Sequence, residues 1–240
     1  MKHRLYLPAA YQEGQQLTLP DEAAHYLLRV LRLSTGEPIE LFDGTGQAAL
    51  ATVVSAAKKG AQVRIDALLP PLENESPLQT ILVQGISRGE RMDYTVQKAT
   101  ELGVCAIQPV FTQYCEVRLK GDKLEKKRRH WQQVAIAACE QCGRRIVPPV
   151  YAPIPLKTWL AQPRTGFVLD PEAVQSLSQM PEPPQPLHIL VGPEGGLSRE
   201  ETAAATRAGL IAVHLGPRIL RTETAGCALL AAAQVRWGDW

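Results

Sequence analysis

The chain has 240 residues, of which 45% are hydrophobic and 21% are charged, and its formal net charge is +2 at pH 7. This length suffices for one large domain or two modest ones, each able to bury a core without disulfide or metal support. Because the net charge is close to zero, composition alone gives no reason to expect a nucleic-acid partner. No apolar run reaches the roughly 20 residues that span a bilayer, and residues 1–8 lack the apolar core of a signal peptide, so we expect a cytoplasmic protein without a membrane segment.

The cysteines indicate neither a disulfide framework nor a metal centre. Their number, five, is odd in a chain without an export signal, which points to reduced thiols. Cys139 and Cys142 form a C-x-x-C pair, but a zinc site would need a second ligand pair and a redox site a thioredoxin-like context. We interpret the pair as small apolar residues on a helix face and expect no metal.

Residues 1–70 have the pattern of a small β-barrel with one inserted helix. A helix is predicted after Asp21 from apolar residues at helical spacing: Leu27, Val30 and Leu31. Two β-type segments follow at 38–55 and 61–69, with turn signals at Asp43–Gly44 and Lys59–Gly60. The polar, proline-bounded segment from Pro70 to Pro77 predicts a domain boundary, with residues 71–77 as the linker.

Residues 78–240 alternate short apolar segments with helices, which predicts an α/β domain with a largely parallel sheet. Strands are predicted at 79–85, 104–111, 146–151, 166–169, 187–191 and 211–215. Ser87 and Glu90 have capping-box spacing and predict the start of the first crossover helix, and Gly103 predicts its end. The inward stripe of that helix is predicted to be Met92, Val96 and Ala99.

Basic residues cluster although the whole chain is nearly neutral. Residues 120–129 contain six bases against two acids, and Arg144 and Arg145 follow. The basic run lies in the second predicted helix of the α/β domain. The inward stripe of that helix is predicted to be Leu124, Trp131, Ala135, Ala138 and Cys142, which places Lys123, Lys126, Lys127 and His130 on the outside. His25, Arg29 and Arg32 share a face by the same spacing. Such faces are either simply solvated or contact phosphates, and the pattern leaves both open.

Residues 186–209 read as a strand, the glycine turn GPEGGL, and a helix opened by Ser198 with Glu201 three residues later. Glycines 192, 195 and 196 allow the backbone to approach a ligand closely, and the helix terminus presents unpaired N–H groups. The pattern therefore favours a ligand loop, with a tight turn lacking any ligand as the alternative. It matches neither G-x-G-x-x-G nor the phosphate loop GxxxxGK[ST].

The helix that ends the chain has no charge between residue 227 and Arg236. A helix that is small and apolar all round must be buried on more than one side, by the rest of the fold, by a partner subunit, or by both. Arg218, Arg221 and Glu223 crowd the loop that leads into it. Placing charged groups beside so apolar a helix costs free energy, so we expect these residues to have a specific structural or functional role.

Four segments, in this order, resemble the RsmE family of SPOUT RNA methyltransferases: SRGERMDYTVQKATELGV (87–104), AIAACEQCGRR (135–145), VGPEGGLS (191–198) and LGPRILRTETA (215–225). HYLLRVLR (25–32) resembles that family's PUA-like RNA-binding domain, so the similarity spans nearly the whole chain. Four matches in register are highly specific, whereas GPEGG alone is weak.

The resemblance implies an N-terminal PUA-like β-barrel followed by a SPOUT α/β domain with a C-terminal trefoil knot, acting as a homodimer. It implies the cofactor S-adenosylmethionine, with 16S ribosomal RNA of the small ribosomal subunit as the partner. The cofactor contacts that it implies are Gly192, Glu194, Gly195, Gly196, Leu215, Gly216, Ile219 and Leu220, together with a third loop near Leu169 and Asp170. Candidate RNA contacts are His25, Arg29, Arg32, Arg88, Lys123 and Lys127.

The implied reaction is methylation of a uridine at N3, which carries a proton at neutral pH and needs a base or surroundings that favour its anion. Arg221 is the candidate for stabilising the negative charge and Glu223 the candidate base. An Arg221–Glu223 pair that merely fixes the loop is the alternative. Other hypotheses are a SPOUT methyltransferase for ribose 2′-OH or transfer RNA, and a non-catalytic RNA-binding factor.

Overall fold

The computed structural model describes residues 3–57, 60–72, 74–118 and 120–240. They form two compact units, the first comprising Met1–Glu75 with Cys139–Val147 and the second Ser76–Ala138 with Pro148–Trp240. The division after Glu75 falls inside the segment 71–77, whereas nothing in the sequence pattern placed 139–147 with the first unit. Lys59 of the predicted turn and Glu73 of the predicted linker lie outside the described residues.

The first unit contains a five-stranded sheet in the order β1-β3-β4-β5-β2. Its strands are β1 (Arg4–Tyr6), β2 (Gln16–Thr18), β3 (Pro38–Phe42), β4 (Ala48–Ala57) and β5 (Gly60–Leu69). β1 and β3 are parallel and the other pairs are antiparallel. Buried and exposed residues alternate along β5 from Ala61 to Asp66, because successive side chains of a strand point to opposite faces.

The inserted helix of the first unit is shorter than predicted. α1 (Asp21–His25) continues into a π-helical turn at Tyr26–Val30, in which the Leu31 N–H donates to the Tyr26 carbonyl at 3.0 Å. Helical spacing places Leu27 and Val30 on one face, but Leu27 is buried whereas Val30 is 58% exposed. The wider turn changes the angle between successive residues, so a spacing of three no longer returns to the same face.

Arg144 and Arg145 are buried in the first unit. Arg145 Nε lies 3.2 Å from Glu40 Oε1, which also pairs with Arg4, and Arg144 Nη2 lies 2.7 Å from Glu75 Oε2. Burying a charge is costly unless it is paired. Both arginines therefore belong to the internal structure of this unit.

The second unit is built on a seven-stranded, wholly parallel sheet in the order β10-β12-β9-β11-β6-β7-β8. Its strands are β6 (Thr80–Gly85), β7 (Ala106–Phe111), β8 (Ile154–Pro155), β9 (Gly166–Leu169), β10 (Gln175–Ser176), β11 (Leu187–Val191) and β12 (Leu210–His214). The predicted strand at 146–151 is wrong. Pro148 and Pro149 have no N–H to donate, so only the isolated bridges of Ile146 and Val150 form.

The helices that follow in chain order are α2 (Glu90–Glu101), α3 (Asp122–Cys142), α4 (Leu156–Trp159), α5 (Arg199–Arg207) and α6 (Thr222–Trp237). Met92, Val96 and Ala99 of α2 are buried, as predicted. The predicted capping box of α2 is wrong, because Gly89 is the N-cap and the Ser87 hydroxyl donates instead to the Gly85 carbonyl at 3.3 Å. Among the described residues, no helix combines the length and apolar character needed to cross a membrane.

The predicted inward residues of α3 are buried at Trp131, Ala135 and Ala138 and half-buried at Leu124 and Cys142. All five cysteines are free thiols. Burial raises the pKa of the Cys139 thiol to about 12. Because metal binding and redox exchange both use the thiolate, this shift favours the interpretation of the C-x-x-C pair as small apolar residues.

Candidate functional site

Three loops of the second unit meet at the carboxyl ends of β9, β11 and β12, where open parallel sheets usually bind ligands. They and the first turn of α6 enclose a cavity of about 790 Å³. The predicted cofactor contacts all line it: Leu169, Gly192, Glu194, Gly195, Gly196, Leu215, Gly216, Ile219 and Leu220. Arg221 and Glu223 line it too. The fold thus brings together residues from three segments.

The glycine loop after β11 exposes its backbone to this cavity. Its turn is closed by the Gly196 N–H, which donates to the Pro193 carbonyl at 2.9 Å, and Gly196 has φ +72°. At Gly195, a Cβ would lie only 2.8 Å from the Cβ of Tyr114. The absence of side chains at these positions therefore keeps peptide groups accessible to a ligand.

The predicted capping box of α5 is present. Ser198 Oγ accepts from the Glu201 N–H at 3.2 Å, and Glu201 Oε2 accepts from the Ser198 N–H at 3.0 Å. The other Glu201 oxygen accepts from the Gln113 N–H at 2.8 Å. This carboxylate therefore ties the loop after β7 to the start of α5.

A buried hydrogen-bond network connects β6, α6 and the loop after β11 at the wall of the cavity. Gln84 Nε2 donates to Thr222 Oγ1 at 2.9 Å, and Thr222 Oγ1 donates to the Gly192 carbonyl at 2.6 Å. Sequence reasoning missed both side chains. A signal existed for Gln84, since an amide in the otherwise apolar strand β6 needs buried partners.

Glu194 is held by α2 and its preceding turn. Its Oε1 accepts from the Arg88 N–H and from Arg91 Nη1, both at 2.8 Å. Burial alone would raise the pKa of the Glu194 carboxyl, but these hydrogen bonds outweigh it and hold the pKa below its usual range. Glu194 thus fastens the glycine loop to α2 while it lines the cavity.

Arg91 also approaches the candidate base. Its Nε lies 3.8 Å from Glu223 Oε1, while Glu223 Oε2 is buried and has no hydrogen-bond partner among the described residues. Sequence reasoning missed Arg91, because the residue lies 132 positions from Glu223 (223 − 91) in a segment that reads as an ordinary helix start. Arg221, the N-cap of α6, is exposed and forms no ion pair with a described residue. The loop-fixing Arg221–Glu223 pair is therefore not formed.

The candidate RNA contacts differ in their exposure to solvent and in whether a carboxylate already pairs with them. His25, Arg29, Arg32 and Lys123 are exposed. The Arg88 guanidinium pairs with Glu116 at 2.6 Å, although both side chains are more than half exposed. Lys127 Nζ is half-buried, 3.2 Å from Asp93 Oδ1. His130, expected to face outward with it, also bonds to Asp93.

α6 is only partly covered within the chain. Leu229, Leu230 and Ala233 are buried, whereas Val235 is 63% exposed. Thr224, Ala228, Ala231 and Val235 follow one another at helical spacing and are exposed or half-buried. The fold therefore accounts for one face of this helix and leaves a second face of small residues.

Two protein-family models match the chain: an RNA methyltransferase domain over residues 74–234 and an RNA methyltransferase PUA domain over residues 19–66. The ribosomal RNA small subunit methyltransferase E of Buchnera aphidicola (subsp. Schizaphis graminum) is 34% identical, over 98% of this chain and 97% of its own length. The chain belongs to this methyltransferase family.

Solved structures agree with this membership. A ribosomal RNA small subunit methyltransferase E from Neisseria gonorrhoeae, bound to S-adenosylmethionine, is 43% identical with a TM-score of 0.94, over 99% of this chain and 98% of that one. A Legionella pneumophila protein in complex with the same cofactor is 38% identical with a TM-score of 0.95, over the full length of both chains. The predicted fold class, a SPOUT methyltransferase domain with an N-terminal PUA-like domain, is confirmed. The knot stays a prediction.

Replacing Arg91 by Met should loosen the glycine loop, because Glu194 then loses its guanidinium partner while the length of the side chain is kept. We expect faster hydrogen exchange of the amides at 194–197 with an unchanged rate in β11. Lys98→Met is the matched control, since Lys98 lies on the same helix and its one ion pair among the described residues is with Glu101, at 2.8 Å. Equal exchange rates of these amides in Arg91→Met and in the unmodified protein would show that the glycine loop does not depend on Arg91.

Proposed function

We propose that this chain transfers a methyl group from S-adenosylmethionine to N3 of a uridine in 16S ribosomal RNA of the small ribosomal subunit, in the cytoplasm. One observation carries the proposal: in a member of this family, a single cavity is lined by an open glycine backbone, an arginine without an ion pair and a carboxylate oxygen without a hydrogen-bond partner, as far as the described residues go. Mass spectrometry of ribosomal and transfer RNA from a deletion strain tests the target, which should lose one uridine N3-methyl group from small-subunit RNA. A lost ribose 2′-O-methyl group or a lost transfer-RNA methylation would overturn it.

The cavity fits the proposed cofactor. Its volume of about 790 Å³ lies within the range of roughly 300–1,000 Å³ typical of small-molecule sites. Leu169, Leu215 and Leu220 offer apolar surface to an adenine ring, and the peptide groups at 192–196 offer hydrogen bonds. When bound, the cofactor supplies an electrophilic methyl group on a sulfonium.

Gly195→Val should weaken S-adenosylmethionine binding at least about tenfold, a loss of roughly 1.4 kcal/mol. The added Cβ would meet the Cβ of Tyr114 at 2.8 Å, so the loop must move away from its ligand-binding position. Titration calorimetry measures the affinity, and Gly195→Ala should give a smaller loss. Ala161→Val, which places the same valine side chain at an exposed position, is the control. Wild-type affinity in folded Gly195→Val would exclude this loop from the cofactor site.

The chemical step needs a proton acceptor and a counter-charge. We assign the acceptor to Glu223: the N3–H proton passes to its carboxylate as the bond from N3 to the methyl group forms and the bond from sulfur to that methyl group breaks. Glu223 lines the cavity, and its Oε2 has no hydrogen-bond partner among the described residues, so its charge is only partly compensated within the chain. Arg221, which has no ion pair within the described part of the chain, would stabilise the negative charge that spreads onto O2 and O4 of the base.

Arg221→Lys and Glu223→Gln should keep cofactor affinity and lose rate in single-turnover experiments. A point ammonium cannot reproduce the planar fork of a guanidinium, so Arg221→Lys should be slow at every pH. Glu223→Gln should be slow at neutral pH and recover as rising pH supplies uridine anion from solvent. A wild-type rate of Glu223→Gln at all pH values would remove Glu223 from the mechanism.

We assign the RNA contacts to the exposed bases, with residues 1–70 as the RNA-binding domain. Alanine at Arg29, Arg32 or Lys123 should weaken RNA binding and flatten its salt dependence, because each removes a phosphate contact. Lys127→Ala should have a smaller effect, since Asp93 already compensates this charge. Lys157→Ala, at an exposed lysine of α4, is the control. Normal binding by all three variants would leave these faces merely solvated.

We infer that the second face of α6 packs against its twin in a homodimer. Light scattering should then give about twice the chain mass of 26.3 kDa. Val235→Glu should yield monomers, because it places a charge on this face. Val174→Glu, a substitution at a valine that is 95% exposed elsewhere, should not. A wild-type monomer at micromolar concentration would contradict the dimer.

A further inference from the structure

An open groove of about 560 Å³ lies next to the cofactor cavity. It is lined by Gln113, Tyr114, Cys115, Glu116, Arg118 and Gly195. Two of these residues, Tyr114 and Gly195, also line the cavity itself. A ligand in the groove would therefore lie beside a ligand in the cavity, as two reactants of one transfer must.

Tyr114, one of the two residues that line both the groove and the cavity, presents an exposed aromatic ring. Tyr114 is 47% exposed, and its hydroxyl makes no hydrogen bond to a described residue. No other tyrosine, phenylalanine or tryptophan lines either space among the described residues. Aromatic faces of this kind bind flat, partly apolar ligands such as nucleobases by stacking.

The backbone that carries Tyr114 is anchored on both sides of this residue. The Gln113 N–H donates to Glu201 at 2.8 Å on one side, and Cys115 Sγ donates to the Ile86 carbonyl at 3.3 Å on the other. The Cβ of Tyr114 rests against Gly195. A segment anchored in this way loses little backbone entropy when a ligand binds to its side chain.

The charge around the two spaces suits a nucleotide. Arg118 lines the groove, and Arg218 and Arg221 line the cavity. All three are exposed, and none forms an ion pair with a described residue. Guanidinium groups bind phosphates through paired hydrogen bonds, so these arginines can contact the backbone of a nucleotide in the groove.

From these observations we propose that Tyr114 is the platform on which the target pyrimidine base stacks after it leaves the RNA helix. This rests on the proposed function. Enzymes that modify a base take it out of its stack and hold it by aromatic contacts and by hydrogen bonds to its Watson–Crick edge. N3 lies on that edge, so stacking on the ring face leaves N3 open to the cavity.

The test compares Tyr114→Leu, which keeps the Cβ contact and removes the ring, with Tyr114→Phe, which keeps the ring. Tyr151→Leu is the control, because Tyr151 has the same exposure of 47% and lines neither space. We expect Tyr114→Leu to raise KM for small-subunit RNA at least about fivefold, the lower end of measured stacking contributions, with unchanged affinity for S-adenosylmethionine. Tyr114→Phe and Tyr151→Leu should behave as wild type.

Three results would overturn the proposal: wild-type KM in Tyr114→Leu, an equal change in Tyr151→Leu, or a loss of cofactor affinity, which would assign the ring to the cofactor. A wild-type protein that transfers no methyl group to the RNA would defeat the proposed function instead. Affinity of the same variants for the RNA, measured by filter binding with the cofactor present, then decides the role of Tyr114 without turnover.

Discussion

The cavity depends on one buried chain of hydrogen bonds, from Gln84 through the Thr222 hydroxyl to the Gly192 carbonyl. These residues belong to β6, α6 and the loop after β11. A buried polar group left without a partner costs about 1–3 kcal/mol. The Thr222 hydroxyl and the Gly192 carbonyl therefore satisfy each other only when α6 and the loop after β11 are in place together, so the glycine loop takes its shape from the assembled sheet and helix.

Two carboxylates that approach the same arginine have different roles in this arrangement. Glu194 Oε1 accepts hydrogen bonds from Arg88 and Arg91, which stabilises its charged form and makes it a poor proton acceptor. Glu223 approaches Arg91 only to 3.8 Å and keeps a buried oxygen without a partner among the described residues. The hydrogen bonds of Glu194 fasten the glycine loop to α2, and Glu223 is the carboxylate of the two that we propose as the proton acceptor.

The basic residues divide by burial in a way that the local sequence does not show. Arg144 and Arg145 are buried against Glu75 and Glu40, whereas Lys123 is exposed. An arginine can supply five hydrogen-bond donors, and inside a domain these can all be used by carboxylates and carbonyls. A count of bases therefore overstates the surface that is available to RNA.

Local periodicity determined much by itself: the strands 166–169 and 187–191, the buried stripe of α2 and the capping box of α5 follow from spacing between near neighbours. It failed where a wider turn exposed Val30 and where prolines interrupted 146–151. Similarity to a family located the cavity loops, because their motifs are contiguous. Only the tertiary structure decided the partners of the side chains. Arg91 and Glu194 lie 103 positions apart, and the groove at Tyr114 forms from loops that meet only when the parallel strands are assembled.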